Sequence, residues 1–353
     1  MFPFFQLPLL CIQDVSDLWE IVELYNFSLL SKRAKRIAKR KKVNNSMVNL
    51  HFNSRSIAFM IGPCDVDFYL NFKQNRFIVD SKECVSLETD ISPFLKALQH
   101  FLDVSNCRFE MVYFELISPL TDDQLIAIID WMNGLKTAIE QIVIRYATWP
   151  MFELFMSRFR KSISELRPLH LDFKRDNIVL KRLNFEIKYT FSSNFCSWFH
   201  LDFLFSMDTE KITVYAINLC AEDLNKYIRS WQEGKTSRKV KQVQLRFSTQ
   251  RDVKEVLKGC GGELMDPRTT KLSFRGISSS GYNYNYFVYG GIYIRGNDGR
   301  LAIVETDGQD YWSDNEGSHA ERVQTYLKAQ DIWNNENSPD VWNEHLFFIH
   351  IFQ

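Results

Sequence analysis

The chain has no excess of charge of either sign: Lys plus Arg and Asp plus Glu each number 43 in 353 residues, so the formal net charge is zero. A whole-molecule electrostatic grip on nucleic acid or an anionic membrane is therefore excluded, while local basic patches stay open. The residue patterns of common enzyme chemistry are missing too. There is no Walker A loop, GxGxxG turn or HExxH helix, and Gly276 to Gly281 misses a GxSxG elbow by one residue. No cysteines are spaced as CxxC. The seven present (Cys11, Cys64, Cys84, Cys107, Cys196, Cys220 and Cys260) are odd in number and scattered, which points to a reduced intracellular protein. Long apolar runs are absent: the longest later uncharged stretch, Gly276 to Ile294, is rich in Gly, Ser and Asn and binds water too well to span lipid. Phe2 to Ile12 is uncharged but lacks a basic n-region and a small-residue cleavage site, so no secretion signal is expected. What the chain does have is 45% hydrophobic and 14% aromatic residues, ample for two or three structural units.

At the amino end Leu7, Leu10, Ile12, Val15, Leu18, Ile21, Leu24, Phe27 and Leu30 recur every two or three residues. That is too dense for one amphipathic stripe and predicts several short helices packed together, opened by Leu7 and Pro8. In Lys32 to Lys42, eight of eleven residues are Lys or Arg. Three readings apply: a solvated helix end, whose cations suit the C-terminal dipole, a nuclear-import signal, or a phosphate-binding patch.

Met47 to Cys84 alternates apolar and polar residues between turn signals and predicts antiparallel strands. Ser92 and Pro93 then open a helix of about ten residues with Leu95, Leu98, Phe101 and Leu102 on one face. Further on, apolar strands centred near Phe114, Ile144, Leu171, Tyr215, Leu245 and Ser273 alternate with amphipathic helices. Several gaps of about 27 to 30 residues lie in the range of leucine-rich-repeat-like units, joined by right-handed parallel crossovers. Expected caps are Thr121 with Gln124, and Thr249 with Asp252; expected glycine stops are Gly134, Gly234 and Gly259. The runs Phe185 to Phe191 and Trp198 to Phe205 have no place in this register.

His-Leu-Asp-Phe occurs at His170 to Phe173 and again at His200 to Phe203. A metal reading lacks a third spaced ligand, and strand alternation, with Leu171 and Phe173 inward, explains the pattern as well. Asn297, Asp298 and Gly299 form a hairpin turn. Gln309 to Asn343 is polar and reads as a mobile tail, with Trp312, Trp333 and Trp342 either docked on the protein or presented to a partner, and Phe347 to Phe352 as a closing strand.

The stretch from Leu7 and Pro8 through Ile12, Val15 and Leu24 to the octapeptide Asn26 to Arg33 resembles the divergent F-box of a large nematode family. Asp223 to Trp231 with Gly234, and Gly291 to Ile303, resemble the type-2 F-box-associated domain that follows it in that family. The resemblance implies docking onto a Skp-type adaptor of a cullin-RING (SCF-type) ubiquitin ligase, with the rest of the chain holding a target protein and catalysis left to other subunits. Adaptor contacts would come from Leu7, Pro8, Leu9, Ile12, Val15, Leu24 and Leu30. The expected fold is α/β. A helical F-box (1–43) precedes a strand-rich connector with one helix (44–110), a leucine-rich-repeat-like βα array closing in a hairpin (111–308) and the polar tail (309–353). Strand positions opposite the core, namely Arg145, Gln242, Gln244 and Arg246, with Tyr282, Tyr284 and Tyr286, are the candidate target-binding residues, although alternating tyrosines also simply cover a sheet face. No cofactor or metal is expected, and a cytoplasmic or nuclear location. The rival readings are a nuclear nucleic-acid-associated protein using the basic run, and a scaffold that binds the adaptor outside a ligase.

Overall fold

In a computed structural model, the described residues are 6–19, 21–40, 47–53, 57–61, 67–71, 76–79, 91–105, 108–116, 120–171, 173, 182–236, 238–277, 283–306, 316–335 and 338–352. Chain contacts divide the molecule into two compact units, Met1–Leu171 with Asn184–Glu186, and Asp172–Leu183 with Ile187–Gln353.

The dense amino-terminal apolar pattern resolves into three short helices, α1 (Leu9–Asp17), α2 (Ile21–Ser28) and α3 (Lys32–Ala38). Pro8 is the N-cap residue of α1. The basic run is not the end of a longer helix, because α3 begins at Lys32, capped by the Ser31 hydroxyl accepting from the Ala34 N–H at 3.0 Å. Strands β1 (Met47–Asn53), β2 (Ile57–Ile61), β3 (Asp67–Asn71) and β4 (Arg76–Val79) form the expected antiparallel meander. Helix α4 (Ser92–Ser105) starts at Ser92 itself and runs 14 residues, longer than its sequence pattern indicated. Then come β5 (Arg108–Glu115), α5 (Asp122–Gly134), β6 (Ile139–Arg145), α6 (Trp149–Arg158) and β7 (Ile163–Leu169). The strands β1, β5, β6 and β7 are parallel neighbours, and their register stacks buried residues in rows: Leu50, Val112, Ile142 and Leu166 form one, and Phe52, Phe114 and Ile144 another. Facing rows of branched and aromatic side chains make this half of the core.

The second unit continues the grammar with β8 (Ile187–Ser193), α7 (Leu201–Phe205), β9 (Lys211–Ile217), α8 (Ala221–Gln232), β10 (Gln242–Asp252) and α9 (Val253–Val256). It ends with β11 (Glu263–Met265), β12 (Lys271–Ile277), β13 (Asn283–Tyr289), β14 (Gly291–Arg295), β15 (Leu301–Glu305), α10 (Glu316–Asn334) and β16 (Asn343–Ile351). Here β8, β9 and β10 are parallel, and β16, β15, β14 and β11 extend the sheet antiparallel in that order. The pair β12 and β13 forms a separate hairpin.

The chain is thus mixed α/β, with ten helices among the described residues, and several expectations need correction. The two apolar runs without a place are β8 and α7, one more strand-helix unit, and strands then start at Ile139, Ile163, Ile187 and Lys211, 24 residues apart each time. Leu171 does not centre a strand. It lies beyond β7, after His170, whose positive φ of 53° ends the extended backbone; Leu171 and Phe173 are still buried. Ser273 sits in the antiparallel β12, not in a repeat strand. The capping box of Thr121 and Gln124 is formed, with bonds of 2.9 and 3.2 Å. Gly134, by contrast, stays inside α5, and Leu135 turns the chain out in extended conformation. Thr249 belongs to β10, and Asp252 alone caps α9. The stretch expected as a mobile tail carries the 19-residue α10, and Trp333 and Trp342 pack edge to face at 6.2 Å on the protein itself; Trp312 lies outside the described residues. No helix among the described residues is long and apolar enough to cross a membrane.

Candidate functional site

In the first unit α2 and α3 dock on α4 through a directed polar chain. The Lys35 ammonium can only donate, so it donates to His100 Nδ1 at 3.2 Å, which leaves the proton on Nε2. Nε2 then donates to the Ser28 hydroxyl at 2.7 Å, and that hydroxyl donates to the Tyr25 carbonyl at 2.6 Å. Lys35 also pairs with Asp103 at 3.3 Å. The Tyr25 ring packs against His100 and Phe101 at 5.6 and 6.0 Å, and burial pushes its hydroxyl pKa up to about 12. Burial, and then the Lys35 charge, hold His100 below its ordinary value of 6.5. At Asp103 burial pulls upward, but hydrogen bonds from Gln99 and Lys35 outweigh it and the carboxyl is held low. Both groups have depressed values in the folded state, so their contributions to stability are complete above the ordinary values and are lost as pH falls through the folded ones. The urea midpoint should drop as pH falls below 6.5, the ordinary histidine value, and His100→Gln, which keeps a donor and an acceptor but cannot titrate, should flatten that part of the curve.

The same helices leave apolar surface uncovered. Leu10, Leu18 and Leu30 are 74%, 83% and 72% exposed, with Val15 and Leu29 at the margin, whereas Ile12 and Leu24 are each 1% exposed and hold the module together. Among the other expected contact residues, Pro8 is exposed and Leu7 half-buried, and the side chain of Leu9 lies outside the described residues. Sequence spacing had not picked out Leu10 and Leu18 as contacts. Three leucines more than two-thirds exposed within one small helical module make this surface a candidate for a partner.

Arg145, also in the first unit, is half-buried and donates to the Tyr113 hydroxyl at 2.8 Å, with its guanidinium 5.8 Å from that ring. That hydrogen bond raises its pKa. Its reach is spent on the sheet.

In the second unit the alternation along β10 buries Val243, Leu245 and Phe247 and turns Gln242, Gln244 and Arg246 to the opposite face. The register sets Gln242 beside Lys211 and His350, Gln244 beside Thr213 and Phe348, and Arg246 beside Tyr215 and Leu346. The β12–β13 hairpin lies over the first of these rows. Its Tyr286 hydroxyl meets His350 Nδ1 at 3.3 Å and accepts from Gln242 Nε2 at 3.5 Å, while His350 Nε2 meets Glu305 at 2.9 Å. Phe274 packs on His350 at 4.7 Å and on Phe352 at 4.5 Å. Because Tyr286, His350 and Glu305 are all buried, this chain of bonds anchors the hairpin to the sheet. Tyr286 therefore covers the sheet face; the side chain of Tyr284 and the whole of Tyr282 lie outside the described residues. The rows of Gln244 and Arg246 remain open, lining a cavity of about 350 Å³ with Tyr215, Thr306, Glu344, His345 and Leu346. Sequence alternation found Gln244 and Arg246. It had no means of finding Tyr215, Thr306 and Glu344, which other strands bring alongside.

Residues 177–245 match the F-box associated family model. The matched segment takes in β8, α7, β9, α8 and the first part of β10, and so supplies Tyr215 and Gln244 of the open face, with Arg246 one residue past its end. No curated protein and no solved structure matches the chain.

Proposed function

We propose that this chain is the substrate receptor of an SCF-type cullin-RING ubiquitin ligase, without catalytic residues of its own, acting in the cytoplasm or nucleus. Helices α1 to α3 are the F-box and dock on a Skp-type adaptor; the open face of the second unit that carries Gln244 and Arg246 takes the target protein. The observation that carries the reading is the exposure of Leu10, Leu18 and Leu30, all in the amino-terminal helical module, in a chain whose residues 177–245 match the F-box associated family model. Fully burying one leucine is worth about 1.5 to 3 kcal/mol, so three of them would make a substantial contribution to a subunit contact.

The test is affinity purification of the full chain from cells, scored for adaptor and cullin and repeated as salt rises from about 0.1 M to about 0.5 M. An apolar interface holds across that range. Recovery of nucleic acid that falls steeply with salt, in place of an adaptor, would favour the rival built on Lys32 to Lys42. Adaptor without cullin would leave only a scaffold.

A further inference from the structure

The open groove of the second unit has an uneven balance of charge. Arg246 projects from the central strand β10, is exposed, and has no hydrogen-bond or ion-pair partner among the described residues. The groove's own carboxylate is a poor counter-ion for it. Glu344 is half-buried, one of its oxygens accepts from the Trp342 indole N–H at 2.8 Å, and Lys328 already lies near it. Burial raises its pKa. The other nearby carboxylate, Glu305, is spent on His350 at 2.9 Å. On the same face Gln244 has no side-chain partner among the described residues, and in register beside it the buried Thr213 hydroxyl has none either. The Tyr215 side chain stands across from Arg246. The groove thus presents a fork-shaped cation flanked by neutral hydrogen-bonding groups, with Leu346 as an apolar wall and a volume at the small end of ligand sites.

We propose that this groove seats an anionic side chain of an extended target peptide, with Arg246 as its bidentate counter-ion and Gln244 and Tyr215 as hydrogen-bonding neighbours. A carboxylate and a phosphate share this chemistry. The inference deepens the reading of the chain as a target receptor and rests on it.

The probes are end-capped pentapeptides with a central Asp, phosphoserine, Asn or Lys, titrated into the full chain while the arginine side-chain N–H signals are followed by NMR. The Asp or the phosphoserine peptide should shift the Arg246 signal saturably, and the tighter of the two identifies the source of the anion. The Asn and Lys peptides should not. Arg246→Met, which keeps the apolar stem on an exposed position, should weaken binding at least about tenfold with the melting temperature unchanged, and Glu344→Gln should leave it intact or strengthen it. Three results would overturn the proposal: no shift with either anionic peptide, equal binding to Arg246→Met, or preferred binding of the Lys peptide that Glu344→Gln abolishes. The two readings fail separately. A chain that captures no adaptor yet binds the Asp peptide retains the groove and loses the ligase role, and one that captures adaptor and binds neither anion loses the groove alone.

Discussion

Replacing Leu10, Leu18 and Leu30 together by aspartate should abolish adaptor capture while leaving the melting temperature of the chain unchanged. All three side chains are largely in water, so no packing is lost in the free protein. In the complex each aspartate forfeits about 1.5 to 3 kcal/mol of apolar burial and adds the desolvation of a charge. Even at the low end, the three together weaken binding by more than about a thousandfold. The contrast that gives the experiment its meaning is Ile12→Ala with Leu24→Ala. Those two are buried inside the module, and each should destabilise it by about 2 to 5 kcal/mol through transfer and cavity terms. They should lower capture only as far as they unfold the helices. Pull-down and thermal melting on the same preparations separate the two sets. Capture that survives the triple aspartate variant would show that the adaptor, if it binds at all, uses a different surface.

What could be read from the sequence was local. A capping box needs only Thr121 and Gln124, three residues apart, and it is formed. The stop at Gly234 is equally local: its φ of 68° lets the Gly234 and Lys235 N–H groups return to the Trp231 and Ser230 carbonyls at 2.9 and 3.0 Å. The hairpin turn at Gly299, with φ of 85°, is another. The 24-residue strand period was hidden because Ile187–Ser193 is half polar and α7 has five residues, too few for a visible stripe. The largest gap was topology. Nothing in Asn343–Ile351 says that it enters the sheet between β15 and β10, yet Phe347 pairs with Leu245 and Ile349 with both Val243 and Val304. Such pairings join residues 45 to 106 positions apart, in register with partners that local pattern cannot name. The groove beside β10 shows the same division. Gln244 and Arg246 follow from the period of two along one strand, but Tyr215 and Glu344 belong to it only through β9 and β16. On the amino-terminal module, spacing marked which residues are apolar without sorting those that close the core, Ile12 and Leu24, from those left in water, Leu10 and Leu18.

The sharpest stability prediction falls on Trp231, the last buried aromatic of α8 and part of the F-box associated segment. Its indole is buried against the turn of the β14–β15 hairpin: the Arg300 guanidinium lies 5.5 Å from the ring, and a Cβ on Gly296 would come within 3.6 Å of it. The neighbouring Gln232 fastens the same turn, its side chain donating to the Arg295 and Cys260 carbonyls at 2.8 Å each and its carbonyl accepting from the Asn297 N–H at 2.8 Å. Trp231→Ala should therefore cost about 3 to 5 kcal/mol, because the rigid turn cannot collapse into the space left behind. The buried indole N–H has no hydrogen-bond partner among the described residues. Trp231→Phe accordingly breaks no hydrogen bond and should cost less than about 1.5 kcal/mol, from reduced area and a weaker cation–π contact. Arg300→Met removes that contact and should cost about 0.5 to 1 kcal/mol, and in the Phe background less still, since the two share one interaction. Urea midpoints for the four proteins test the set. If Trp231→Phe were as damaging as Trp231→Ala, the indole would be held by its N–H rather than by its ring, and α8 would be tied to the hairpin by something other than packing.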